Sequence, residues 1–258
     1  MRKVATVSDP LVSIVIPTFN RAENAKRALT SVLTQTLVEI EVLVIDDGST
    51  DHTREVLGQF HDSRLSIEYL NENSGGPAAP RNIGIWKASG KWIAFLDSDD
   101  WWEPNHLENQ LLALERSGLR AACGNAYNFS SLSPETEVTL TDFSMPTTHH
   151  VVLPTQVDLA QLLRWNLIVT SSVVMLREDA IRAEGFSSHV KGPVFEDYAL
   201  WLRVATLTNF VVSDEITVHY QTDSPDSHGD TNQHEDAMRN TFLELQTWLH
   251  KVKLSTDE

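Results

Sequence analysis

Three short runs constrain this chain more than anything else in it. VSIVIP (residues 12–17), EVLVI (41–45) and KWIAFL (91–96) are apolar and largely β-branched or aromatic, and each breaks off into polar residues: TFNR, DDGSTD and DSDD. An unbroken apolar run of that length suits a strand covered on both faces, as in a parallel sheet packed between helices. Helical stripes separate the runs. Ala25, Ala28, Leu29, Val32 and Leu33 form the first; Val56, Leu57 and Phe60 the second, with Ser49 or Thr50 as caps. Residues 66–70 read as a short strand. A third helix spans about 79–88, with Pro80 in its first turn and Gly90 as its stop. This β-α-β-α-β-α-β rhythm implies right-handed crossovers and a mostly parallel α/β sheet. Ligands of such sheets bind beyond the carboxyl ends of the strands, at a switch in strand order. Thr18 to Asn20, Asp46 to Gly48 and Asp97 to Asp100 are therefore expected along one edge.

The rest of the chain is less regular. Pro104 opens a helix with Leu107, Leu111 and Leu114 inward and Gly118 as its stop. A strand is expected over 120–129, a variable loop over 130–154, a helix over 157–165 and a strand over 171–176. A helix follows over 196–206, and 214–221 holds a strand. A last helix over 232–252 carries Met238, Phe242, Leu245 and Leu249 as its stripe. The expected organisation is one continuous domain: a tail (1–10), an α/β half (11–125), a second half completing a cleft (126–230), and a C-terminal helix and tail (231–258).

The net charge of -16 over 258 residues argues against nucleic acid or an anionic membrane surface as partner. The single cysteine, Cys123, sits in a strand-like run and reads as a buried bystander; one thiol forms no disulfide framework, which fits a reducing compartment. MRKVATVSDP lacks a signal-peptide core, and no apolar run approaches a membrane span. The expectation is a cytoplasmic protein without a transmembrane segment, peripheral association with a membrane being left open.

Asp97, Asp99 and Asp100 fall within four positions. Buried bare they would cost several kcal/mol or lose their charge, so they face water, pair with cations or bind a metal. Two hard oxygen ligands separated by one residue suit Mg²⁺ or Mn²⁺, which would let an acidic chain hold a nucleotide diphosphate. The plainer alternative is an acidic turn after a core strand. Asp46 and Asp47 either cap a turn or accept hydrogen bonds from a base or ribose. SGGPAAPRN offers a helix start and Arg81, for a phosphate or for one of the many carboxylates. No GxGxxG fingerprint is present.

In this order, IPTFNR, VIDDGSTD, GGPAAPRNIGI and ASGKWIAFLDSDD resemble the family 2 glycosyltransferases, strongly over residues 11–125 and more weakly through GPVFEDYALWLRVA. The resemblance implies a GT-A fold and an inverting, metal-dependent transfer from a nucleotide diphosphate sugar to an acceptor hydroxyl. It places Thr18, Phe19 and Asn20 around the nucleotide, Asp47 on the base and Asp46 in the turn beneath. Arg81, Asp97 and Ser98 fall to the donor, and Asp99 to the metal, with Asp97 assisting. It makes Asp197 the general base with Glu196 beside it, although two acids also suit a helix's first turn on electrostatic grounds alone. The implied cofactor is Mn²⁺ or Mg²⁺. The implied donor is a UDP-sugar, or with little change a dTDP-sugar. The acceptor is a glycan, a lipid-linked sugar or a small molecule. His228 is favoured over His219 to complete the metal or phosphate site, although VHYQTDSPDSHGD departs from the family's arginine-rich pattern there. The alternatives are a sugar-phosphate nucleotidyltransferase, whose glycine-rich loop is missing after the first run, and a catalytically silent nucleotide-binding relative.

Overall fold

The computed structural model describes residues 9–130, 133–136, 153–188, 195–221 and 231–256. The first run forms β1 (Val12–Thr18), every residue of it buried. α1 (Ala22–Leu33) follows, burying Ala25, Ala28, Leu29 and Val32. Next come β2 (Ile40–Asp46), α2 (Thr53–Leu57), β3 (Leu65–Tyr69), α3 (Ala78–Lys87) and β4 (Trp92–Phe95). The α2 helix takes no side-chain cap from Ser49 or Thr50; Asp51 instead accepts from the Thr53 N–H at 2.9 Å. The α3 helix ends before Gly90, whose Cα packs against Ser13 so closely that a Cβ would meet its Oγ at 2.7 Å.

After β4 come β5 (Trp101–Trp102), α4 (His106–Ser117), β6 (Ala121–Cys123), β7 (Ala126–Ser130) and β8 (Ser133–Thr136). They are followed by β9 (Gln156–Val157), α5 (Leu159–Leu162), a 3₁₀ turn (Thr170–Ser172), β10 (Val174–Leu176) and α6 (Arg177–Arg182). The chain closes with α7 (Glu196–Ala205), β11 (Phe210–Val212), β12 (Val218–Gln221) and α8 (Thr231–Thr256). Among the described residues, the main sheet runs β3-β2-β1-β4-β10-β6-β11-β9 and a smaller one β5-β12-β7-β8. The pairs β3-β2, β2-β1 and β1-β4 are parallel, whereas β10 is antiparallel to both neighbours. The chain winds outward from β1 to β3 and returns through α3 to β4 on the other side of β1. That reversal is the switch point at which a ligand crevice opens.

Several expectations need correction. The strand expected over 120–129 splits at Gly124 and Asn125 into β6 and β7, which join different sheets. The helix over 157–165 shrinks to α5, and the strand over 171–176 begins only at Val174. The elements α6 and β11 were not anticipated. On α8, Leu245 is buried, but Leu249 is exposed and Trp248 takes its inward place. Cys123 is fully buried, and burial pushes its thiol up to about 12, which leaves it inert as a nucleophile. No helix among the described residues is long and apolar enough to cross a membrane.

Candidate functional site

A cleft of about 730 Å³ opens at the carboxyl ends of β1, β2 and β4. Its far wall is built by residues 166–170, the start of α7 and the end of β12. The base of the first wall is a zipper between strand ends: Asp47 N–H donates to the Thr18 carbonyl at 2.8 Å. Thr18 is 3% exposed, and its Oγ1 has no partner. Phe19 beside it presents an exposed ring to the cleft.

Asp46 and Asp47 do different things. Asp46 is fully buried, takes Arg54 Nε at 2.8 Å and accepts from Ser49 N–H at 3.2 Å, so it stays beneath the turn. Asp47 lines the cleft and accepts from Ser74 through N–H at 3.1 Å and Oγ at 2.8 Å. Gly48 between this turn and the next has φ 77°, and a Cβ there would lie 2.7 Å from the Glu72 carbonyl carbon. Asn20 does not line the cleft. In a left-handed conformation (φ 51°) its Oδ1 accepts from the Thr50 and Asp51 N–H groups at 2.8 and 3.2 Å, tying the two loops together.

The DSDD loop meets cations from two directions. Arg81, 3% exposed on α3, gives one nitrogen to Asp97 at 2.6 Å and another to Glu196 at 3.0 Å, with its guanidinium 4.9 Å from the Phe186 ring centre. Burial pulls its pKa down, but Asp97 and Glu196 more than reverse that and hold it firmly charged. Arg21, on the cleft wall, pairs with Asp99. Ser98 is buried against the cleft. Asp100 turns inward, accepting from Ser171 Oγ at 2.5 Å and Gln221 N–H at 2.9 Å. Burial, then the charges of Asp99 and Asp97, push its carboxyl well above the usual range. The nearby Tyr220 is likewise pushed up, by burial and then by Asp100, Asp97, Asp99 and Asp197. The cleft floor therefore gathers several carboxyl groups, two of them paired with Arg21 and Arg81.

Asp197, the second residue of α7, reaches the same cleft. It accepts from Tyr198 N–H at 2.6 Å and from Thr170 Oγ1 at 3.0 Å. Burial and the neighbouring Glu196 raise its carboxyl to about 6, against the lowering effect of Arg81. A carboxyl so placed is charged at neutral pH yet basic enough to take a proton.

The two tryptophans after DSDD are structural. Trp101 lies between the Arg27 guanidinium at 3.9 Å and the His219 ring at 4.7 Å, while Trp102 is buried and donates Nε1–H to the Ser171 carbonyl at 2.7 Å. His219 is held by Glu103 at 2.7 Å and is not among the residues lining the cleft. His228 lies outside the described residues. Among the described residues, no three His, Cys, Asp or Glu side chains gather closely enough to hold a metal by themselves. Composition had not pointed to Arg21, Thr170, Ser171 or Tyr220. The only signal for the first was its place at the end of IPTFNR.

Residues 13–182 match the family described as "Glycosyl transferase family 2". The chain is 31% identical over 195 residues to the Escherichia coli "UDP-Glc:alpha-D-GlcNAc-diphosphoundecaprenol beta-1,3-glucosyltransferase WfaP", covering 75% of this chain and 70% of that one. It is 43% identical over 111 residues to the Bacillus subtilis (strain 168) "Putative teichuronic acid biosynthesis glycosyltransferase TuaG", covering 42% of this chain and only 44% of that relative. Among solved structures, S. aureus TarS 1-349 in complex with UDP-GlcNAc superposes with TM-score 0.71 at 19% identity, over 90% of this chain and 66% of that one. The mannosyltransferase PcManGT from Pyrobaculum calidifontis, in complex with GDP-Man and Mn²⁺, gives 0.65 at 16%, over 93% and 65%. The shared architecture, a central α/β sheet flanked by helices with a C-terminal region, is GT-A-like.

Proposed function

The chain belongs to glycosyl transferase family 2, and on that premise we propose that its cleft transfers a sugar from a nucleotide diphosphate sugar to an acceptor hydroxyl with inversion. The supporting observation is the placement of Asp197, a carboxyl raised to about 6, in the same cleft as Thr18, Asp47 and the DSDD loop. The nucleotide lies over Phe19 between Thr18 and Asp47, whose unspent hydroxyl and carboxyl read the base and ribose. UDP is the nucleotide of choice because the name of WfaP gives a UDP-sugar donor and TarS is in complex with UDP-GlcNAc, although PcManGT holds GDP-Man. The diphosphate faces Asp97, Asp99 and Arg21. The acceptor enters along residues 166–170, and Asp197 takes its proton as the new bond to the anomeric carbon forms and the bond to the diphosphate breaks. Glu196 keeps Arg81 in place, and Arg81 holds Asp97 through an ion pair.

A divalent cation fits this donor set. Asp97 spends one oxygen on Arg81 and Asp99 one on Arg21, which leaves the second oxygen of each. Two hard oxygens with diphosphate and water completing the shell suit Mn²⁺ or Mg²⁺. When bound, the cation would offset negative charge on the departing diphosphate.

The test is a UDP titration with and without Mn²⁺, in the wild type and in Asp99→Asn. Mn²⁺ should tighten UDP at least about tenfold, or about 1.4 kcal/mol, and Asp99→Asn should erase that gain. Asp197→Asn should bind UDP normally and turn over no donor. UDP binding that ignores Mn²⁺ would remove the cation from the scheme, and release of pyrophosphate from UTP and a sugar 1-phosphate, with no UDP released from a UDP-sugar, would identify a nucleotidyltransferase.

A further inference from the structure

A carboxylate that serves as a base must be aimed as well as charged. The Asp197 side chain has one local anchor, the N–H of the next residue, Tyr198. Its other oxygen is held from a different part of the chain, by Thr170 Oγ1 at 3.0 Å. Thr170 is 5% exposed, so water does not readily replace that hydroxyl. Its branched Cβ restricts rotation, and a hydrogen bond to an ionised carboxylate is about twice as strong as a neutral one.

The turn that carries Thr170 is fixed on its opposite side by the donor loop. Ser171 Oγ donates to Asp100 Oδ2 at 2.5 Å and accepts from the Asp97 N–H at 3.0 Å. One residue therefore touches the base and the next touches the loop that faces the diphosphate. Three hydrogen bonds thus link the DSDD loop through the turn to Asp197.

We propose that Thr170 is a positioning residue for Asp197, and that the turn of residues 170–172 sets the distance between the base and the donor-side carboxylates. This rests on the transferase reading above. Asp197 also feels Glu196 on its own helix, Arg81 from α3 and Tyr220 from β12, so a pH profile alone would not isolate the threonine. The decisive comparison is between Thr170→Val, which keeps the shape, and Thr170→Ser, which keeps the hydroxyl.

The experiment follows release of UDP or dTDP from a panel of UDP- and dTDP-sugars with water as acceptor, alongside UDP affinity by calorimetry. Thr170→Val should lower kcat by about tenfold, a part of the roughly 10²- to 10⁴-fold that a general base supplies. KM for the donor and the UDP affinity should stay within about twofold, because the nucleotide contacts lie on the other wall. Thr170→Ser should recover most of the rate. If the valine variant does not fold, Thr170→Ala paired with the same serine variant gives the same reading. A valine variant as fast as the wild type overturns the inference alone, and so does a serine variant as slow as valine. A wild type that binds UDP but releases none from any donor overturns the transferase reading, and the positioning role with it.

Discussion

Arg81 is the residue on which the most charge depends. Its guanidinium is buried and forks between Asp97 and Glu196, so its removal strands two carboxylates that are themselves largely covered. Breaking such a pair from one side costs about 3–5 kcal/mol when fully buried. Because each acid keeps 26% of its side chain exposed, we predict about 3 kcal/mol for Arg81→Ala by urea unfolding, with Arg81→Lys intermediate because it keeps the charge and loses the fork. A loss below about 1 kcal/mol would mean that water already compensates the acids. Asp197 gives a second prediction. Its pKa is raised to about 6, and only the ionised form accepts a proton. Below that pH, kcat/KM should therefore fall about tenfold per unit. Glu196 is a cause of the rise, so Glu196→Gln should move the acid limb to lower pH; a limb that stays put removes Glu196 from the balance. Charged residues such as these were legible in the sequence because Asp, Glu and Arg in ordered motifs demand partners. Thr170 and Ser171 were not, since TSSVV is an unremarkable run until the fold brings Asp197 and Asp100 to it.

At the scale of elements, the α3 helix is pressed onto β1 where Gly84 faces Val15. A Cβ on Gly84 would sit 2.3 Å from one Val15 methyl and 2.6 Å from the other. Val15 is fully buried mid-strand and β-branched, so it has little room to turn aside. Gly84→Ala should therefore cost about 1–3 kcal/mol through overpacking, despite the better helix propensity of alanine. Denaturant unfolding checks this, and a stabilised variant would show that α3 can lift without loss. Since α3 also carries Arg81, donor affinity should weaken in the same variant. The α/β half was readable because its strands are buried on both faces and its helices keep one apolar stripe. The second half was not, because its elements are short and defined by remote contacts. The run over 120–129 carries no proline to mark a break, and what divides it is Gly124 meeting Ser213, where a Cβ would lie 2.7 Å from the serine Oγ. On α8 the stripe was offset by one residue at its end, since spacing alone did not distinguish Trp248 from Leu249.

At the scale of the whole molecule, the net charge of -16 opposes an anionic donor long before contact. The arginines near the cleft do not cancel this at a distance. Arg81 and Arg21 are engaged by Asp97, Glu196 and Asp99, and Arg27 donates to the Asp99 carbonyl at 2.6 Å and to Gln221 at 2.7 Å. The sequence showed this global balance directly, but it could not show how the local cations are spent, because that depends on pairs up to 194 residues apart. Association of UDP without a divalent cation should therefore be slowed by like charge. Raising the ionic strength from about 0.02 M to about 0.15 M shortens the screening length to about 8 Å, and the UDP on-rate should rise by about twofold. Stopped-flow mixing measures it. Mn²⁺ should shrink the salt effect, because the cation offsets charge on the diphosphate before it arrives. An on-rate that falls with salt would mean that the cleft's own arginines steer the ligand, and that their pairing with Asp97 and Asp99 opens as the donor approaches.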